Sequence, residues 1–290
     1  MKKLFFSVLL SLLTITASQA QPLNPGGGMF GGHGQFRLGV KPFVLDPTDY
    51  PGVSHFLFLE TKAKQLTKDY ASKVNRFVNA IAAQPGFRAC MTLVDVDAKR
   101  IVVYYQFETE DQYNTARQNE AVFPIAGAVR NDSARFEVFA SRPLEQIAFN
   151  PDLVGNPNPG AGAPPNPPGY YAKFRIGEGV GINEALVNLD KGRTQAELTE
   201  LMHKAGQVND INNAPGYKDF TFHEGLDGSR NMNLIHWKDV KTLAAASLSN
   251  LLQPLMNNGL SGGHDGWGPD GPGTIHLHIY HVADIKHGTK

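Results

Sequence analysis

The sequence predicts an α+β fold made of two tandem copies of one β-α-β-β-α-β unit, and three observations support this prediction. Residues 85–107 and 215–237 align without a gap and agree in residue or residue type at seven positions. Each segment has the alternating pattern of a β-hairpin. A segment with seven prolines and four glycines, 150–169, lies between the copies. The matching pairs are Pro85/Pro215, Gly86/Gly216, Phe87/Tyr217, Arg88/Lys218, Asp97/Asp227, Arg100/Arg230 and Phe107/Trp237.

Each duplicated segment is predicted to enter its hairpin from a helix. Gly86 and Gly216 follow prolines and permit a turn with positive φ. The sequences Asp-Ala-Lys at 97–99 and Asp-Gly-Ser at 227–229 supply the reversal between two strands. We therefore expect strand, turn and strand in both copies.

The first unit is predicted to begin with a strand at 55–62, where apolar and aromatic residues predominate. An amphipathic helix follows and ends before Pro85, because proline cannot continue it. The apolar residues at helical spacing are Tyr70, Val74, Phe77, Val78 and Ile81.

Thr109 and Gln112 form the pattern of a capping box, which predicts a second helix to about Arg117. Pro124 interrupts whatever helix continues. A fourth strand at 135–140 closes the unit. This order is the split βαβ arrangement of ferredoxin-like domains.

The second unit is predicted to repeat this order. We expect a strand at 170–176, a helix capped by Thr194 and Glu197, the hairpin, a helix at 241–257 and a last strand at 274–282. Two insertions distinguish this copy, the connection 177–193 and the glycine-rich loop around 262–267. The apolar residues predicted to line the first of these helices are Leu198, Leu201, Met202, Ala205 and Val208.

The amino-terminal residues have the pattern of a secretory signal. Two lysines precede a short leucine-rich run, and small residues lead up to Ala20. The run is too short to serve comfortably as a membrane span. We therefore expect a cleaved signal peptide and a periplasmic or secreted bacterial protein, with no stable membrane span.

Charge and cysteine content restrict the partners. The chain has 27 lysines and arginines and 27 aspartates and glutamates, so no basic field is available for a nucleic acid. The only cysteine, Cys90, has no partner for an internal disulfide and is predicted to be a small buried hydrophobe. The predicted organisation is a signal peptide at 1–20, an irregular Gly/Pro-rich arm at 21–54, a first domain at 55–149, a Pro/Gly-rich linker at 150–169 and a second domain at 170–286.

The chain resembles the antibiotic biosynthesis monooxygenase (ABM) family of the dimeric α+β barrel superfamily. The resemblance rests on Pro-Gly-aromatic before the second strand, on Trp237 followed by Lys-Asp at the end of the third, and on the duplicated unit. It implies that two sheets, usually from two chains, close into a barrel whose interior forms the ligand pockets. Here the tandem copies would form an intrachain barrel, and the chain can also pair with a second copy as a homodimer.

Strand alternation predicts that the second copy has one polar face directed into this barrel. The first copy is predicted to contribute only apolar residues there, so we expect a single pocket on the second repeat. The residues predicted for the polar face are Asp219, Thr221, His223, Asn231, Asn233, Ile235, Trp237, His276, His278 and Tyr280. The residues expected on the matching face of the first copy are Ala89, Met91, Leu93, Ile101, Val103, Tyr105 and Phe107.

The family resemblance adds one pair of residues. Members that oxidise polycyclic aromatic substrates without a cofactor carry an Asn four residues before the Trp of the third strand, where it positions the substrate. Asn233 and Trp237 match this spacing, whereas Val103 and Phe107 of the first copy do not. The alternative interpretation is an exposed Asn and a core Trp on one strand.

Two histidines, His276 and His278, are predicted to point the same way along the last strand, about 7 Å apart. They need a third group to hold a metal or haem, and His223 is the candidate for it. The other interpretation makes these histidines hydrogen-bonding pocket walls or a deprotonating base. His236 and His281 are predicted to lie on the opposite face and to be structural.

Two functions remain open. The first is a cofactor-independent monooxygenase acting on a small aromatic or quinol-type substrate. In it a histidine, His276, His278 or His223, removes a proton, Asn233 and Tyr280 hold oxygen atoms, Trp237 stacks on the ring, and Asn231 completes the pocket. The second is a non-catalytic module that binds an aromatic ligand, haem or a divalent metal.

Overall fold

A computed structural model describes residues 40–45, 53–149, 172–206, 214–248 and 273–288. The predicted signal peptide, the predicted linker and the glycine-rich loop lie outside these ranges. The helices are α1 (Lys68–Ala82), α2 (Glu110–Gln118), α3 (Phe123–Asp132), α4 (Gln195–Gly206) and α5 (Val240–Leu248), with a short 3-10 helix at Leu189–Lys191. The strands are β1 (Phe43–Leu45), β2 (Ser54–Thr61), β3 (Phe87–Asp95), β4 (Arg100–Phe107), β5 (Ser133–Phe149), β6 (Ala172–Phe174), β7 (Gly179–Val187), β8 (Tyr217–Gly225), β9 (Arg230–Trp237) and β10 (Gly273–His287).

Eight strands form one closed antiparallel barrel. Its order is β10-β3-β4-β2-β5-β8-β9-β7, and β7 pairs with β10 to close it. Four neighbouring strands come from each repeat. The pairs β5/β8 and β3/β10 join the repeats, so the last strand of each copy extends into the sheet of the other. The predicted fold of two tandem ferredoxin-like units forming an intrachain barrel is confirmed.

The local signals for helices are confirmed in both repeats. Thr109 Oγ1 accepts a hydrogen bond from the Gln112 amide at the start of α2 (3.2 Å). At the start of α4, Glu197 Oε2 accepts a hydrogen bond from the Thr194 amide (2.8 Å). Helix α1 ends before Pro85, and Pro124 starts the new helix α3 rather than breaking an old one. Capping satisfies backbone donors that a helix cannot use internally, which explains why these signals are reliable.

The predicted first strand of the second repeat is wrong. The barrel strand is β7 (Gly179–Val187), within the segment predicted to be an insertion. The predicted strand at 170–176 contributes only β6, which pairs with β1 of the amino-terminal arm and not with the barrel. The strand β7 was not predicted because it contains Gly179 and Gly181, and glycine is depleted in strands.

The apolar side chains divide into three clusters on the two faces of the sheet. The interior cluster unites strands of both repeats and includes none of the described helical residues. The other two lie between the sheet and the helices: one packs under α1 and α2, the other under α5. Strands β1 and β6 belong to the interior cluster, where Phe43 and Phe174 are fully buried. They cover the interior of the barrel. Cys90 is buried as predicted, and burial raises the pKa of its thiol to about 12.

We expect Gly86→Ala to destabilise the protein by about 1–3 kcal/mol. Gly86 has a φ of +77°, and an added Cβ would collide with the side chain of Gln112, which caps α2. The matched control is Gly127→Ala in α3, where nothing lies within 4 Å and the change should stabilise by about 0.5 kcal/mol. Urea unfolding of both variants measures these effects. Equal stability of the two would contradict the structural role of Gly86.

Candidate functional site

The side chains of the second repeat are distributed between the two faces of the sheet differently from the prediction. Asp219, Thr221 and His223 of β8 are followed in β9 by Met232, Leu234 and His236 on the same face, as their pairing across the ladder shows. The hairpin loop 226–229 has four residues, so odd positions in β8 share a face with even positions in β9. The prediction had continued the odd positions through both strands. The residues of β9 predicted to line the interior, Asn231, Asn233, Ile235 and Trp237, therefore face the helices.

The same phase shift holds in the first repeat. Ala89, Met91 and Leu93 belong to the interior cluster as predicted. The four residues predicted for the same face of β4 pack in the helix-facing cluster instead. These are Ile101, Val103, Tyr105 and Phe107.

The helix-facing layer of the second repeat contains two amides directly opposite each other. Asn183 of β7 pairs with Asn233 of β9 in register, and both are buried. Side chains at such positions are about 5 Å apart at Cβ. Asn183 Oδ1 is buried without a hydrogen-bond partner among the described residues. Asn183 was not among the predicted site residues, because its strand had been taken for an insertion.

Trp237 lies on the same face, four residues beyond Asn233. Its ring is fully buried, meets Tyr217 edge-on at 5.5 Å, and packs in one cluster with Leu243 and Ala246 of α5. Its Nε1 hydrogen has no acceptor in the described part of the chain. A buried indole N–H normally finds a partner, so this donor is available to a bound molecule.

The equivalent layer of the first repeat is filled by rings and aliphatic side chains. Leu57 stands opposite Val103, and His55 stands opposite Tyr105, where the second repeat has the pairs Asn183/Asn233 and Gly181/Ile235. The His55 ring lies 3.6 Å from the ring of Tyr113 and 5.3 Å from that of Tyr105. At these equivalent positions the first repeat has an imidazole and aliphatic side chains, whereas the second repeat has a glycine and two amides.

We expect His55→Phe to stabilise the protein by about 1–2 kcal/mol at pH 7. Both ring nitrogens of His55 are buried without a partner, and phenylalanine keeps the stacking. Burial and the nearby Arg117 lower the pKa of His55 to about 3. Since the unfolded chain binds this proton below about pH 6.5, the wild type loses stability as the pH falls from 6.5 toward 3.

The stability difference between His55→Phe and the wild type should therefore grow by about 2 kcal/mol between pH 7 and pH 5. Urea unfolding at the two pH values measures it. Parallel pH dependences of variant and wild type would contradict the buried neutral state of His55.

Asn231 holds a helix in place. Its Oδ1 accepts from Gln195 Nε2 and its Nδ2 donates to Thr199 Oγ1, both at 3.1 Å. Gln195 also donates to the carbonyls of Gly225 and Arg230. These bonds fasten α4 over the hairpin, beside the amide pair. The predicted substrate contact of Asn231 stays a prediction.

The histidines of β10 lie on the interior side of the sheet, as predicted, but near its surface. His276 is exposed and His278 is half-buried. The Arg100 guanidinium donates to His278 Nδ1 (3.1 Å), and burial together with Arg100 lowers the pKa of His278. Tyr280, on the same face, is fully buried in the interior cluster, and burial raises its pKa. The structure does not bring these residues to the face that carries Asn233 and Trp237.

A network of ion pairs joins the two repeats beside these histidines. Arg135 of β5 contacts Glu184 of β7 (3.2 Å), and Arg230 of β9 contacts both Glu137 (2.8 Å) and Glu184 (2.6 Å). Arg135 also lies over the Phe58 ring at 4.5 Å. These charges have partners on the opposite repeat and so help to hold the barrel closed.

His223 is fully buried inside the barrel. Its Nε2 lies 2.9 Å from the Tyr104 hydroxyl, which donates to Ser54 Oγ at 2.7 Å. Burial lowers the pKa of His223 to about 3, so the ring is neutral. His223 was predicted as the candidate third group beside His276 and His278 of β10. In the barrel order, β9 and β7 separate their strands.

A cluster of buried charged side chains lies at the carboxyl end of β9, and it was not predicted from the sequence. His236, predicted to lie on the opposite face from Asp219, donates from Nδ1 to Asp219 Oδ2 (2.8 Å) and from Nε2 to Glu178 Oε2 (2.7 Å). Lys218 Nζ also pairs with Glu178. Burial alone would lower the pKa of His236, but the two carboxylates raise it above its ordinary value. Two anions and two cations thus balance inside the protein.

No three histidine, cysteine, aspartate or glutamate side chains in the described ranges converge as metal ligands. His276 and His278 therefore have no third ligand within this part of the chain. Nor is any helix of the described ranges both long and apolar enough to cross a membrane.

Comparison with known proteins gives structural matches alone. No protein-family model matches the sequence, and no curated protein matches it. An anthrone oxidase-like protein superposes with a TM-score of 0.62 at 8% identity, covering 86% of this chain and 98% of that chain. A ferredoxin-fold protein from Listeria monocytogenes related to antibiotic biosynthesis monooxygenases has a TM-score of 0.39 at 11% identity, covering 80% and 96%. SnoaB, a cofactor-independent oxygenase from Streptomyces nogalater, has a TM-score of 0.28 at 21% identity, covering 30% and 88%.

The closed eight-stranded barrel with helices outside places the chain in the class of dimeric α+β barrels. Within this class it has the fold of the ABM-like monooxygenases, with both halves in a single polypeptide. The resemblance expected from the sequence is thus confirmed for the fold. Function has to be argued from the site, because one fold supports many activities.

Proposed function

We propose that the protein is a cofactor-independent monooxygenase that acts on a small aromatic substrate of the anthrone or quinol type. The observation that carries this proposal is the difference between the helix-facing layers of the two repeats. Only the second has the amide pair Asn183/Asn233 together with the buried indole of Trp237, within the described residues. Asn183 Oδ1 and the Trp237 indole nitrogen are buried without a partner among the described residues, which is costly unless a bound molecule satisfies them, whereas the first layer is filled by hydrocarbon and rings.

These side chains suit an aromatic ketone or phenol. In the proposed complex Asn183 Oδ1, which has no partner among the described residues, accepts from a substrate hydroxyl. The Asn233 amide donates to the oxygen atom that gains negative charge when the substrate ionises, and such donors are among the strongest contributors to catalysis. The Trp237 ring supplies a flat apolar contact, and its N–H offers a further donor. Gly181, in the row between the amides and Trp237, removes a side chain from the same surface.

The chemistry needs no metal or organic cofactor. In the oxidation of an anthrone, the ionised carbon attacks O2, one oxygen atom becomes the new carbonyl, and the other leaves as water. The two hydrogens lost from the carbon end in that water molecule. The protein supplies binding and electrostatic stabilisation of the anion. The histidines predicted to take the proton, His276, His278 and His223, lie on the other face of the sheet, so we assign them no step here.

The predicted signal sequence is the basis for proposing that this activity takes place in the periplasm or outside the cell. The proposal also includes pairing of the chain with a second copy as a homodimer.

Oxygen consumption with the anthrone dithranol tests the proposal. We expect the chelator-treated protein to accelerate it, and Trp237→Phe to reduce the acceleration at least tenfold, about 1.4 kcal/mol in the barrier. Phenylalanine already occupies the equivalent position 107 of the first repeat, so this variant should fold. The control Phe107→Leu should keep the activity. No acceleration by the wild type would refute the proposal. Activity lost on chelation, or a haem absorbance band in the purified protein, would favour the metal- or haem-binding alternative.

A further inference from the structure

Two short strands, β1 and β6, form a strap over the interior of the barrel. They pair with each other as a separate two-stranded sheet, in which Phe43 stands opposite Phe174. Both rings are fully buried, and Phe43 meets the Tyr104 ring edge-on at 5.5 Å. Side-chain contacts, and not ladder hydrogen bonds, therefore hold the strap on the barrel.

One of these contacts joins the strap to the cluster of buried charged side chains. The ring of Phe174 lies 4.2 Å from the imidazole of His236, with 31° between the two planes. In the neighbouring strand β7 the residue opposite His236 is the apolar Val180. A cation within about 6 Å of an aromatic face is attracted to it, so a protonated imidazole holds the Phe174 ring more tightly than a neutral one.

The turn that follows β6 ends at the same imidazole. Glu178 Oε2 accepts from His236 Nε2 and from the Arg175 amide, both at 2.7 Å. The Arg175 carbonyl in turn accepts from the Glu178 amide (3.1 Å). Since Arg175 directly follows Phe174, Glu178 connects His236 to the end of the strap.

The charged groups that face His236 come from β8 and from this turn. Asp219 of β8 accepts from Nδ1 at 2.8 Å, and Glu178 accepts from Nε2. Lys218 pairs with Glu178, and the Arg175 guanidinium lies 3.9 Å from the same carboxylate. With His236 protonated, each carboxylate receives one imidazole N–H.

A neutral imidazole cannot donate to both carboxylates, because it carries one N–H and one lone pair. Glu178 keeps two other donors, Lys218 and the Arg175 amide, whereas Asp219 Oδ1 has no donor in the described part of the chain. The remaining N–H is therefore needed at Asp219. Nε2 of His236 then directs a lone pair at Glu178 Oε2, and two acceptors 2.7 Å apart repel each other. Glu178 is displaced, and the end of β6 moves with it.

We propose that the strap is released from the barrel when His236 loses its proton, which makes the strap a pH-dependent switch built into the fold. Release uncovers the apolar interior cluster. This inference goes beyond the proposed function, because it concerns the opposite face of the sheet and uses no atom of Asn233 or Trp237.

The switch operates on the alkaline side. Burial alone would lower the pKa of His236, but Asp219 and Glu178 raise it above its ordinary value. The strap is therefore in place near pH 6.5, about the ordinary pKa of histidine, and is released as the pH rises through the higher folded pKa.

A nitroxide label on Val44→Cys in the full chain, read by EPR spectroscopy, tests the switch. Val44 is exposed in β1, and the native Cys90 is buried, so the label reacts with the new thiol. We expect the label to change from immobile to mobile with the same pH midpoint as the NMR titration of His236 in the unlabelled protein. Far-UV circular dichroism should stay unchanged through this transition, because the barrel remains folded.

Two variants test the two contacts of His236 separately. Glu178→Gln should keep the label immobile where the wild type releases it, because the glutamine amide can donate to the lone pair of the neutral ring. Phe174→Leu removes the ring contact but no charge, and it should lower the EPR midpoint by about 0.5 pH unit. This second variant keeps the switch testable if Glu178→Gln does not fold.

The control is His55→Phe, which removes a buried histidine whose pKa is lowered to about 3 by burial and Arg117, and it should leave the EPR transition unchanged. A label that stays immobile while His236 titrates would overturn the switch. So would release at the wild-type midpoint in both Glu178→Gln and Phe174→Leu, or release accompanied by loss of the circular dichroism signal.

Discussion

Asn233→Val is expected to lower the acceleration of dithranol oxidation about 10²–10³-fold, the usual cost of removing one donor to a developing oxyanion. Valine is the residue at the equivalent position, 103, of the first repeat, so the variant gives the second layer a side chain that already packs in the first. The loss should fall mainly on kcat, because the negative charge on the substrate oxygen is largest in the transition state.

The matched control for this variant is Val103→Ala, which shortens the equivalent side chain of the first repeat. It should cost stability through a cavity but leave the oxidation rate of the folded protein unchanged. If both variants lose activity to the same degree, the difference between the repeats has no functional meaning. Full activity of Asn233→Val would refute the role of the amide pair.

Glu178→Gln is expected to destabilise the protein by about 3–5 kcal/mol, because removing one partner leaves other charges buried and uncompensated. Glu178 accepts hydrogen bonds from His236 Nε2 and the Arg175 amide, both at 2.7 Å, and pairs with Lys218. Burial alone would raise the pKa of Glu178, but His236 and Lys218 lower it. In the variant the raised pKa of His236 should fall, since one of its two carboxylates is gone.

Urea unfolding and an NMR titration of His236 measure these two effects. The contribution of protonated His236 to stability is present below its unfolded pKa and is lost as the pH rises through its higher folded pKa. The wild type should therefore lose this contribution as the pH rises through the raised pKa of His236. Glu178→Gln, in which that pKa is lower, should lose it at a lower pH than the wild type. Glu197→Gln, which removes an exposed carboxylate at the start of α4, is the control and should have a much smaller effect. Equal effects of the two variants would contradict the buried network.

The order of elements could be predicted because it depends on local signals. A Thr109 cap, a Pro85 stop and the alternation in β3 and β4 each act within a few residues. The start of the second repeat could not be predicted in the same way. Gly179 and Gly181 of β7 owe their places to close packing, since a Cβ at 179 would lie 2.7 Å from the Asp239 carbonyl oxygen.

The face of the sheet on which each candidate site residue lies depends on the length of the hairpin loop, which composition does not reveal. A loop of four residues at 226–229 reverses the phase between β8 and β9, whereas an odd loop would have preserved it. Asn233 and Trp237 were correctly placed together, since a spacing of four keeps one face. Asn183, which stands opposite, is 50 positions away in sequence and only the ladder register joins it to Asn233.

The buried network illustrates the same limit for charges. Glu178 directly precedes β7, whereas His236 lies in β9, where it stands directly opposite Asp219 of β8. The four-residue loop 226–229 puts His236 on the same face as Asp219, because it reverses the phase between the two strands. His236 therefore lies inside the barrel, although the prediction had assigned it to the other side.

Two strand pairs, β5/β8 and β3/β10, join the repeats into one barrel, and the gene encodes each of the two halves separately. When a barrel of this class assembles from two identical subunits, every amino-acid change is inherited by both halves at once. In this chain a mutation alters one half only. Selection can therefore reshape one repeat for chemistry while its sister retains the packing that keeps the whole molecule folded, a division of labour closed to a symmetric homodimer.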